Sequence, residues 1–196
     1  AGVRYLTLYA FSTENWSRPH DEVSGLMSLL GAFIQKYERE LIERQVRLRV
    51  IGRREDLSDS LRQALVRLER ETERFDRQLI IALSYSGRSE LTRAARMIAE
   101  EVKAGTLTPE QIDEAAITAH LYAPDVPDPD LIIRTSGELR ISNFLLWQCA
   151  YSEFYVTPVL WPDFREEAFN TALAAYSIRD RRYGGVNPTD TQEVFS

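Results

Sequence analysis

The chain has 196 residues, is 44% hydrophobic and carries a formal net charge of −6, so it can bury a full core and most simply forms one domain. The acidic charge excludes a broad basic surface of the kind that binds nucleic acid. Because no apolar run approaches about 18 residues and no signal-like pattern is visible at the start, we expect a cytoplasmic protein without a membrane span.

Segments typical of strands alternate with segments typical of helices along the chain. The strand segments are rich in β-branched and aromatic residues and cover residues 5–11, 46–51, 79–83, 131–133 and 153–156. The helical segments repeat apolar residues at helical spacing and cover about 21–45, 57–75, 89–103, a short stretch opened by Thr108 and Pro109, 144–151 and 162–182. Gly105 is expected to end the third helix in the left-handed conformation. The alternation predicts an α/β fold in a single domain, with a mainly parallel sheet covered by helices on both faces.

Three of the predicted strands end in polar turns, which begin at Ser12, Ser84 and Arg134. In an open parallel sheet, ligands bind outside the carboxyl ends of the strands. We therefore expect the three turns to converge at one edge of the sheet and to form the functional site there.

The segment after the fourth predicted strand is the strongest candidate for a phosphate site. Arg134 lies in the turn, and Arg140 and Ser142 follow it. Ser142 or Asn143 is predicted to cap a helix over 144–151, whose first N–H groups would face the arginines. Arginine suits a diphosphate because its planar guanidinium can bind two oxygens at once. The alternative interpretation is that the arginines form surface ion pairs and that Ser142 only caps the helix.

Five motifs resemble one known family. They are FSTENWSRP at 11–19, LSYSGRSEL at 83–91, IRTSGELRISNFLLWQCAYSE at 133–153, VLWPDF at 159–164 and RRYGG at 181–185. Their order and spacing resemble the cis-prenyltransferase family from residue 2 to about residue 185. The resemblance implies a homodimeric, Mg²⁺-dependent enzyme that condenses isopentenyl diphosphate with an allylic diphosphate, usually farnesyl diphosphate, to make a polyprenyl diphosphate precursor of a lipid carrier. We expect the lipid product to bring the enzyme to the membrane surface.

The resemblance also implies roles for residues in the second half of the chain. It places isopentenyl diphosphate on Arg134, Arg140, Ile141 and Ser142. It makes Glu153 a metal-associated carboxylate, next to the chain end of the neighbouring subunit. Arg182 matches a terminal motif that helps to complete the partner's site.

The turn after the first strand matches the family's substrate-contacting positions. The matching contact residues are Ser12, Thr13, Glu14, Trp16 and Arg18. Asn15 matches the residue assigned to proton removal in the family. Because an amide is a weak base, we expect Asn15 instead to orient the substrate or to pass the proton toward a diphosphate oxygen.

The sequence departs from the family pattern at its start. Family members begin with a strand and a phosphate loop that carries the catalytic aspartate, and the sequence shown has neither. We expect a truncated form of a longer protein, inactive as it stands and without the first strand of the family fold. Smaller departures are Ser86, where glycine is usual, and Leu139, where some members have histidine. The family domain is predicted to cover residues 1–186, followed by a flexible tail over 187–196.

Two other functions are compatible with these features. One is the accessory subunit of a two-component prenyltransferase, although such subunits typically lose the first turn, which is intact here. The other is a phosphate-binding α/β module without turnover, whose affinity would not rise with the length of a prenyl chain. The apolar stripe from Val23 to Leu41 is either one wall of a groove for that chain or ordinary core packing.

Overall fold

The computed structural model describes residues 2–179, and its strands and helices alternate as the sequence predicts except between the fourth and fifth strands, where the predicted helix is missing. The strands are β1 (Tyr5–Ser12), β2 (Val46–Ile51), β3 (Arg77–Tyr85), β4 (Leu131–Arg134) and β5 (Glu153–Val156). The helices are α1 (His20–Glu43), α2 (Asp59–Thr72), α3 (Gly87–Ala104), α4 (Glu114–Ala119) and α5 (Glu166–Ser177). Short 3₁₀ turns cover Thr13–Ser17, Arg54–Asp56, Pro109–Gln111 and Trp161–Asp163. Every strand pair in the described residues is parallel, so the α/β fold class is confirmed.

Contacts within the described chain divide it into two compact units. The first unit contains residues 2–127 and 142–147, and the second contains residues 128–141 and 148–179. The predicted domain boundary at residue 186 and the tail after it lie outside the described residues, so that boundary stays a prediction.

The first unit is built on a three-stranded parallel sheet in the order β1-β3-β2. Side chains of the central strand β3 alternate between two apolar clusters, as expected for a strand that is buried on both faces. Ile81 and Leu83 belong to a cluster that α1 and α2 cover, whereas Ile80 and Ala82 belong to a cluster that includes Leu145. The core of this unit therefore lies on both sides of β3.

Strand β2 lies at the edge of this sheet. Side chains of α2 bind its outward N–H groups: Leu48 N donates to Thr72 Oγ1 at 3.0 Å, and Val50 N donates to Glu69 Oε1 at 2.8 Å. Arg54 donates to the Val50 carbonyl at 2.7 Å. Because an unpaired edge is a template for pairing with another strand, these bonds protect the sheet against such pairing.

Helix α1 is the longest described helix, with 24 residues, and its apolar stripe is shared between core and surface. Val23 and Ile34 are buried in the core, whereas Leu29 is 68% exposed and Phe33 is 37% exposed. The stripe packs the core, and its use as a wall for a prenyl chain stays a prediction. None of the helices in the described part of the chain is long and apolar enough to cross a membrane.

The second unit contains a two-stranded parallel sheet of β4 and β5. The turn after β4 has two residues in the left-handed conformation, Ser136 and Gly137. Their N–H groups donate to the carbonyls of Val159 and Thr157 at 2.9 and 2.8 Å. These bonds fix the direction in which the chain leaves β4.

The predicted helix over residues 144–151 is wrong, because this stretch is a series of turns. Ser142, Asn143 and Leu145 all have positive φ angles. Non-glycine residues in that conformation do not build a right-handed helix. The prediction that Ser142 or Asn143 caps a helix is therefore also wrong, and residues 144–151 supply no helix dipole to this site.

Other helix ends follow the sequence signals more closely. Gly105 ends α3 with a φ of 74°, as predicted. The stretch opened by Thr108 is only a 3₁₀ turn, and a separate cap, Asp113, begins α4 by accepting from the Ala116 N–H at 2.8 Å. The terminal helix, predicted from residue 162, begins at Glu166 after another 3₁₀ turn.

Candidate active site

The turn after β1 carries five of the predicted substrate contacts, and the fold places it beside the turn after β3. Strands β1 and β3 are parallel neighbours, with Ser12 opposite Tyr85 at their carboxyl ends. That part of the predicted convergence is confirmed. The third turn, after β4, belongs to the second unit.

A capping box shapes the turn after β1. The Ser12 N–H donates to Asn15 Oδ1 at 2.8 Å, and the Ser12 side chain accepts from the Asn15 N–H. Among the described residues, the Asn15 NH₂ group has no hydrogen-bond partner. Because its oxygen is engaged and its donors are available, Asn15 suits orienting a substrate better than removing a proton.

Side chains that the sequence did not single out hold Trp16. Its Nε1–H donates to Ser84 Oγ at 2.8 Å, and Ser84 donates to Asp56 Oδ2 at 2.5 Å. Ser84 is fully buried and has a φ of 46°, a strained conformation for a residue other than glycine. The Trp16 ring packs edge-on against Phe11, with the ring centroids 4.9 Å apart. A buried polar chain and an aromatic contact thus orient this indole.

Glu14 and Arg18 lie on the more exposed side of the same turn. Asn143 Nδ2 donates to Glu14 Oε1 at 2.8 Å, and this bond is the main cause that holds the pKa of Glu14 below its ordinary value. Thr13 donates to the other carboxylate oxygen at 3.2 Å. Arg18 pairs with Glu22 at 2.8 Å, and both side chains are 47% exposed. Exposed pairs of this kind are weak, so a diphosphate can replace Glu22 as the partner of Arg18.

The N-terminus of α3, at the end of β3, is already occupied by protein groups. The Gly87 N–H donates to the Asn143 carbonyl at 2.8 Å, and the Arg88 N–H donates to Asn143 Oδ1 at 2.9 Å. Position 87 favours glycine, because a Cβ there would lie 2.7 Å from Leu146 Cγ and would force that side chain to shift. This helix end is therefore an attachment point for residues 142–147.

Ser142 belongs to the first unit, together with the turn after β1. Its carbonyl accepts a hydrogen bond from the Tyr9 hydroxyl at 3.3 Å. Its own hydroxyl has no partner among the described residues, so that group is available to a ligand. The capping role predicted for Ser142 is wrong, but its role in binding a diphosphate stays a prediction.

Arg134 ends β4 and has an unsatisfied donor. Its Nε is buried and has no hydrogen-bond partner among residues 2–179. Because an unsatisfied buried donor costs about 1–3 kcal/mol, such atoms are rare unless something else binds them. Arg140 is 68% exposed and pairs with Glu138, and Ile141 is half-buried. Arg182 lies outside the described residues.

Glu153, the predicted metal-associated residue, begins β5. It lies beside Leu131 in the register, three residues before Arg134, so about 10 Å of strand separates Glu153 from Arg134. Its carboxylate accepts from Arg179. Among residues 2–179, no three His, Cys, Asp or Glu side chains come together as a metal site. The described residues therefore form no complete site for Mg²⁺, although Mg²⁺ often binds one carboxylate together with substrate phosphates.

Sequence comparisons point to one family. A family model described as putative undecaprenyl diphosphate synthase matches residues 1–184. The isoprenyl transferase of Rhizobium meliloti (strain 1021) is 51% identical over 186 residues, which are 94% of this chain and 75% of that protein. The ditrans,polycis-undecaprenyl-diphosphate synthase ((2E,6E)-farnesyl-diphosphate specific) of Micrococcus luteus is 47% identical over 186 residues, with the same two coverages of 94% and 75%.

Solved structures agree with the sequence comparisons. The lavandulyl diphosphate synthase of Lavandula x intermedia, in complex with dimethylallyl diphosphate, has a TM-score of 0.90 and 38% identity over 93% of this chain and 80% of that one. A probable undecaprenyl diphosphate synthase from Campylobacter jejuni has a TM-score of 0.81 and 35% identity over 92% of this chain and 83% of that one. The chain therefore belongs to the cis-prenyltransferase family of undecaprenyl diphosphate synthases and isoprenyl transferases, and it is a prenyl-transferring enzyme.

Proposed function

We propose that this enzyme condenses isopentenyl diphosphate with an allylic diphosphate and so lengthens a polyprenyl diphosphate. The observation that carries the proposal is the buried Nε of Arg134, which has no partner among the described residues. Arg134 is the last residue of a parallel strand, and ligands bind at such strand ends. A diphosphate oxygen would satisfy this donor. The named relatives are synthases or transferases, which favours turnover over simple phosphate binding.

The diphosphate of isopentenyl diphosphate is proposed to bind Arg134, Arg140 and Ser142, next to Ile141. Arg140 is available because its pair with Glu138 is solvent-exposed and therefore weak. The Ser142 hydroxyl has no partner in the described part of the chain. Two guanidinium groups and a hydroxyl supply charge-assisted hydrogen bonds of the kind that hold phosphate oxygens.

The turn from Ser12 to Arg18 is proposed to contact the substrates around the reacting carbons. In the condensation, the bond from the allylic carbon to its diphosphate breaks, a carbon–carbon bond to the isopentenyl unit forms, and that unit loses a proton. Arginine side chains stabilise the negative charge that develops on the departing diphosphate. The unpartnered NH₂ of Asn15 is suited to hold a phosphate oxygen, which is a better proton acceptor than an amide.

Farnesyl diphosphate is the proposed starter. The name of the Micrococcus luteus relative specifies farnesyl diphosphate, whereas the lavender relative was solved with dimethylallyl diphosphate. The partly exposed apolar side chains Leu29 and Phe33 of α1 favour the longer starter, because they offer surface to a prenyl chain. We expect kcat/KM to rise from dimethylallyl through geranyl to farnesyl diphosphate. A flat or falling series would contradict this choice.

A requirement for Mg²⁺ is proposed as well, with Glu153 as the residue of the described chain that contributes to it. Magnesium bound to a diphosphate would neutralise part of its charge. One carboxylate with diphosphate oxygens is a ligand set that Mg²⁺ commonly accepts. Glu153 would have to exchange its contact with Arg179 to serve in this way.

A homodimer is proposed from the surface of the second unit. Its large exposed apolar side chains among the described residues are Leu139, Tyr151, Phe154, Val156, Leu160, Trp161 and Ile178. Exposed apolar surface of this amount is typical of protein interfaces. Arg182 is proposed to complete the partner's site, and the enzyme is proposed to be cytoplasmic and drawn to the membrane surface by its lipid product. Sedimentation should give twice the monomer mass, and a fully active monomer would contradict the dimer.

The test is incorporation of radiolabelled isopentenyl diphosphate by the purified full-length protein, with farnesyl diphosphate as the starter. We expect a long-chain product that is lost in EDTA and restored by excess Mg²⁺. Folded protein that forms no product with any starter would contradict the function. Product formation that is insensitive to EDTA would support prenyl transfer and contradict the requirement for Mg²⁺.

A further inference from the structure

The segment Ser142–Trp147 has an unusual backbone. Ser142, Asn143 and Leu145 have φ angles of 52°, 63° and 46°. The left-handed conformation is unfavourable for residues other than glycine, although asparagine tolerates it better than most. Three such residues within four positions persist only where the surroundings hold them in place. The contacts of this segment, and not the intrinsic backbone preference of its residues, therefore determine its conformation.

Asn143 supplies most of those contacts. Its backbone carbonyl accepts from the Gly87 N–H at 2.8 Å, and its Oδ1 accepts from the Arg88 N–H at 2.9 Å. Its Nδ2 donates to Glu14 Oε1 at 2.8 Å and to Ser86 Oγ at 2.7 Å. Every polar atom of the side chain is thus engaged.

The chemistry of the partners determines which way the Asn143 carboxamide faces. The Arg88 N–H can only donate, and the ionised Glu14 carboxylate can only accept. Oδ1 must therefore face Arg88, and Nδ2 must face Glu14. An aspartate at this position would keep the bond to Arg88, lose the donor and place a second negative charge against Glu14.

The Asn143 contacts join three parts of the first unit. Glu14 belongs to the turn after β1, and residues 86–88 begin α3. Ser142 directly precedes Asn143, and its carbonyl is held by the Tyr9 hydroxyl of β1 at 3.3 Å. Tyr9 thus holds the carbonyl of Ser142, and α3 holds the next residue, while the Ser142 hydroxyl has no partner in the described residues.

We propose that Asn143 is a positioning residue for prenyl transfer: its carboxamide fastens the Glu14 turn to the first turn of α3 and so fixes the backbone that presents the Ser142 hydroxyl. Asn143 acts through these neighbours and does not itself contact substrate. The inference rests on the proposed function, because Ser142 and the turn after β1 are proposed substrate contacts.

The structural part of the proposal is tested without activity, by hydrogen exchange of the full-length protein. In Asn143→Asp, repulsion from Glu14 should raise deuterium uptake in the turn over residues 13–17 and at the start of α3. The double variant Glu14→Gln/Asn143→Asp should recover protection, because the glutamine NH₂ can donate to the aspartate. Asn170→Asp makes the same chemical change at an exposed position of α5 and should leave both segments unchanged. Wild-type uptake in Asn143→Asp would overturn the proposal.

The functional part is tested by a double-mutant cycle in steady-state kinetics. Loss of a hydrogen bond to a charged group costs about 1.5–3 kcal/mol, so Asn143→Asp should raise the KM for isopentenyl diphosphate about tenfold or more, with a smaller change in kcat. In the Glu14→Gln background the same change should cost about twofold, because the repulsion is absent. Equal effects in both backgrounds would overturn the proposal. A wild-type enzyme without turnover would instead contradict the proposed function. The hydrogen-exchange experiment would still decide whether Asn143 holds the Glu14 turn to α3.

Discussion

The turns after β1 and β4 carry the two predicted halves of the active site, and they are built differently. In the turn after β1, protein groups already hold most of the polar side chains: Trp16 donates to Ser84, and Glu14 accepts from Asn143, although the Asn15 NH₂ group has no partner among the described residues. In the turn after β4, the buried Nε of Arg134 has no partner among residues 2–179. Protein contacts therefore hold the turn after β1 before substrate binds, whereas the turn after β4 keeps a buried donor available.

This difference indicates a division of roles. A turn whose hydrogen bonds are already formed loses little freedom on binding and can orient a substrate accurately. A buried donor without a partner gains a charge-assisted bond when a diphosphate binds. Variants in the turn after β4 should therefore change substrate affinity with little loss of folding stability, whereas variants of the groups that hold the turn after β1 should lower folding stability as well.

The largest effect is expected for Arg134→Ala. Loss of a charge-assisted bond should weaken isopentenyl diphosphate binding by about 2 kcal/mol or more, which raises KM about thirtyfold. The free energy of unfolding should not fall in proportion, because the substitution also removes an unsatisfied donor. Steady-state kinetics and urea unfolding measure the two quantities. Arg165→Ala, at an exposed position in the same unit, is the matched control, and an unchanged KM in Arg134→Ala would refute the proposed contact.

For Ser84→Ala we expect a loss of folding stability, in contrast with the loss of substrate affinity in Arg134→Ala. This change leaves the Trp16 Nε1–H and one Asp56 oxygen without their partner, so the free energy of unfolding should fall by about 1–3 kcal/mol. Urea denaturation measures the loss. Ser24→Ala, at an exposed position on α1, should stay within about 0.5 kcal/mol of wild type. Equal stability of the two variants would show that the buried polar chain contributes nothing.

A smaller effect is expected for Glu153→Gln. Removing the charge of the single carboxylate proposed to assist Mg²⁺ should raise the Mg²⁺ concentration needed for half-maximal activity about tenfold. A Mg²⁺ titration at saturating substrates measures this shift, with Glu167→Gln as an exposed control in the same unit. Superimposable titrations of Glu153→Gln and wild type would remove Glu153 from the metal site.

The smallest effect is expected for His120, which follows α4 and contacts α3, outside the proposed substrate contacts. It tests whether the folding stability depends on pH through this side chain. His120 Nδ1 lies 2.7 Å from the Ala116 carbonyl and Nε2 lies 3.0 Å from Glu101 Oε1. These acceptors, with the Ala116 carbonyl as the larger cause, raise the pKa of His120. A raised folded-state pKa means that the stabilisation is complete below the unfolded pKa of about 6.5 and is lost as pH rises through the folded value.

The difference in unfolding free energy between wild type and His120→Gln should therefore be larger at about pH 5.5 than at about pH 8.5. Urea unfolding at the two pH values measures it. His20→Gln is the matched control, because the His20 side chain is 96% exposed and its replacement should show no such trend. A pH-independent difference for His120→Gln would mean that the imidazolium is not stabilised in the folded protein.

Sequence patterns located the strands well and the segment after residue 141 poorly. Strands β2 and β5 match their predicted bounds, because alternation and β-branched composition act within a few residues. The apolar run over 144–151 has the composition of a helix, but left-handed residues before and within it prevent one. Contacts with distant residues hold this backbone, among them the Asn143–Glu14 bond, which spans 129 positions, and the bonds to Gly87 and Arg88. A local pattern carries no information about such a contact.

Residue patterns in the sequence were sufficient to identify the α/β alternation, the family and the residues of the turn after β1. Each of these depends on residue types at short or regular spacing. The fold was needed to show that β3 lies between β1 and β2, that Ser84 and Asn143 hold the first turn, and that Arg134 keeps an unsatisfied donor. These features depend on which distant groups the fold brings together. Whether a donor or acceptor is satisfied depends on both partners, so it cannot be read from either residue alone.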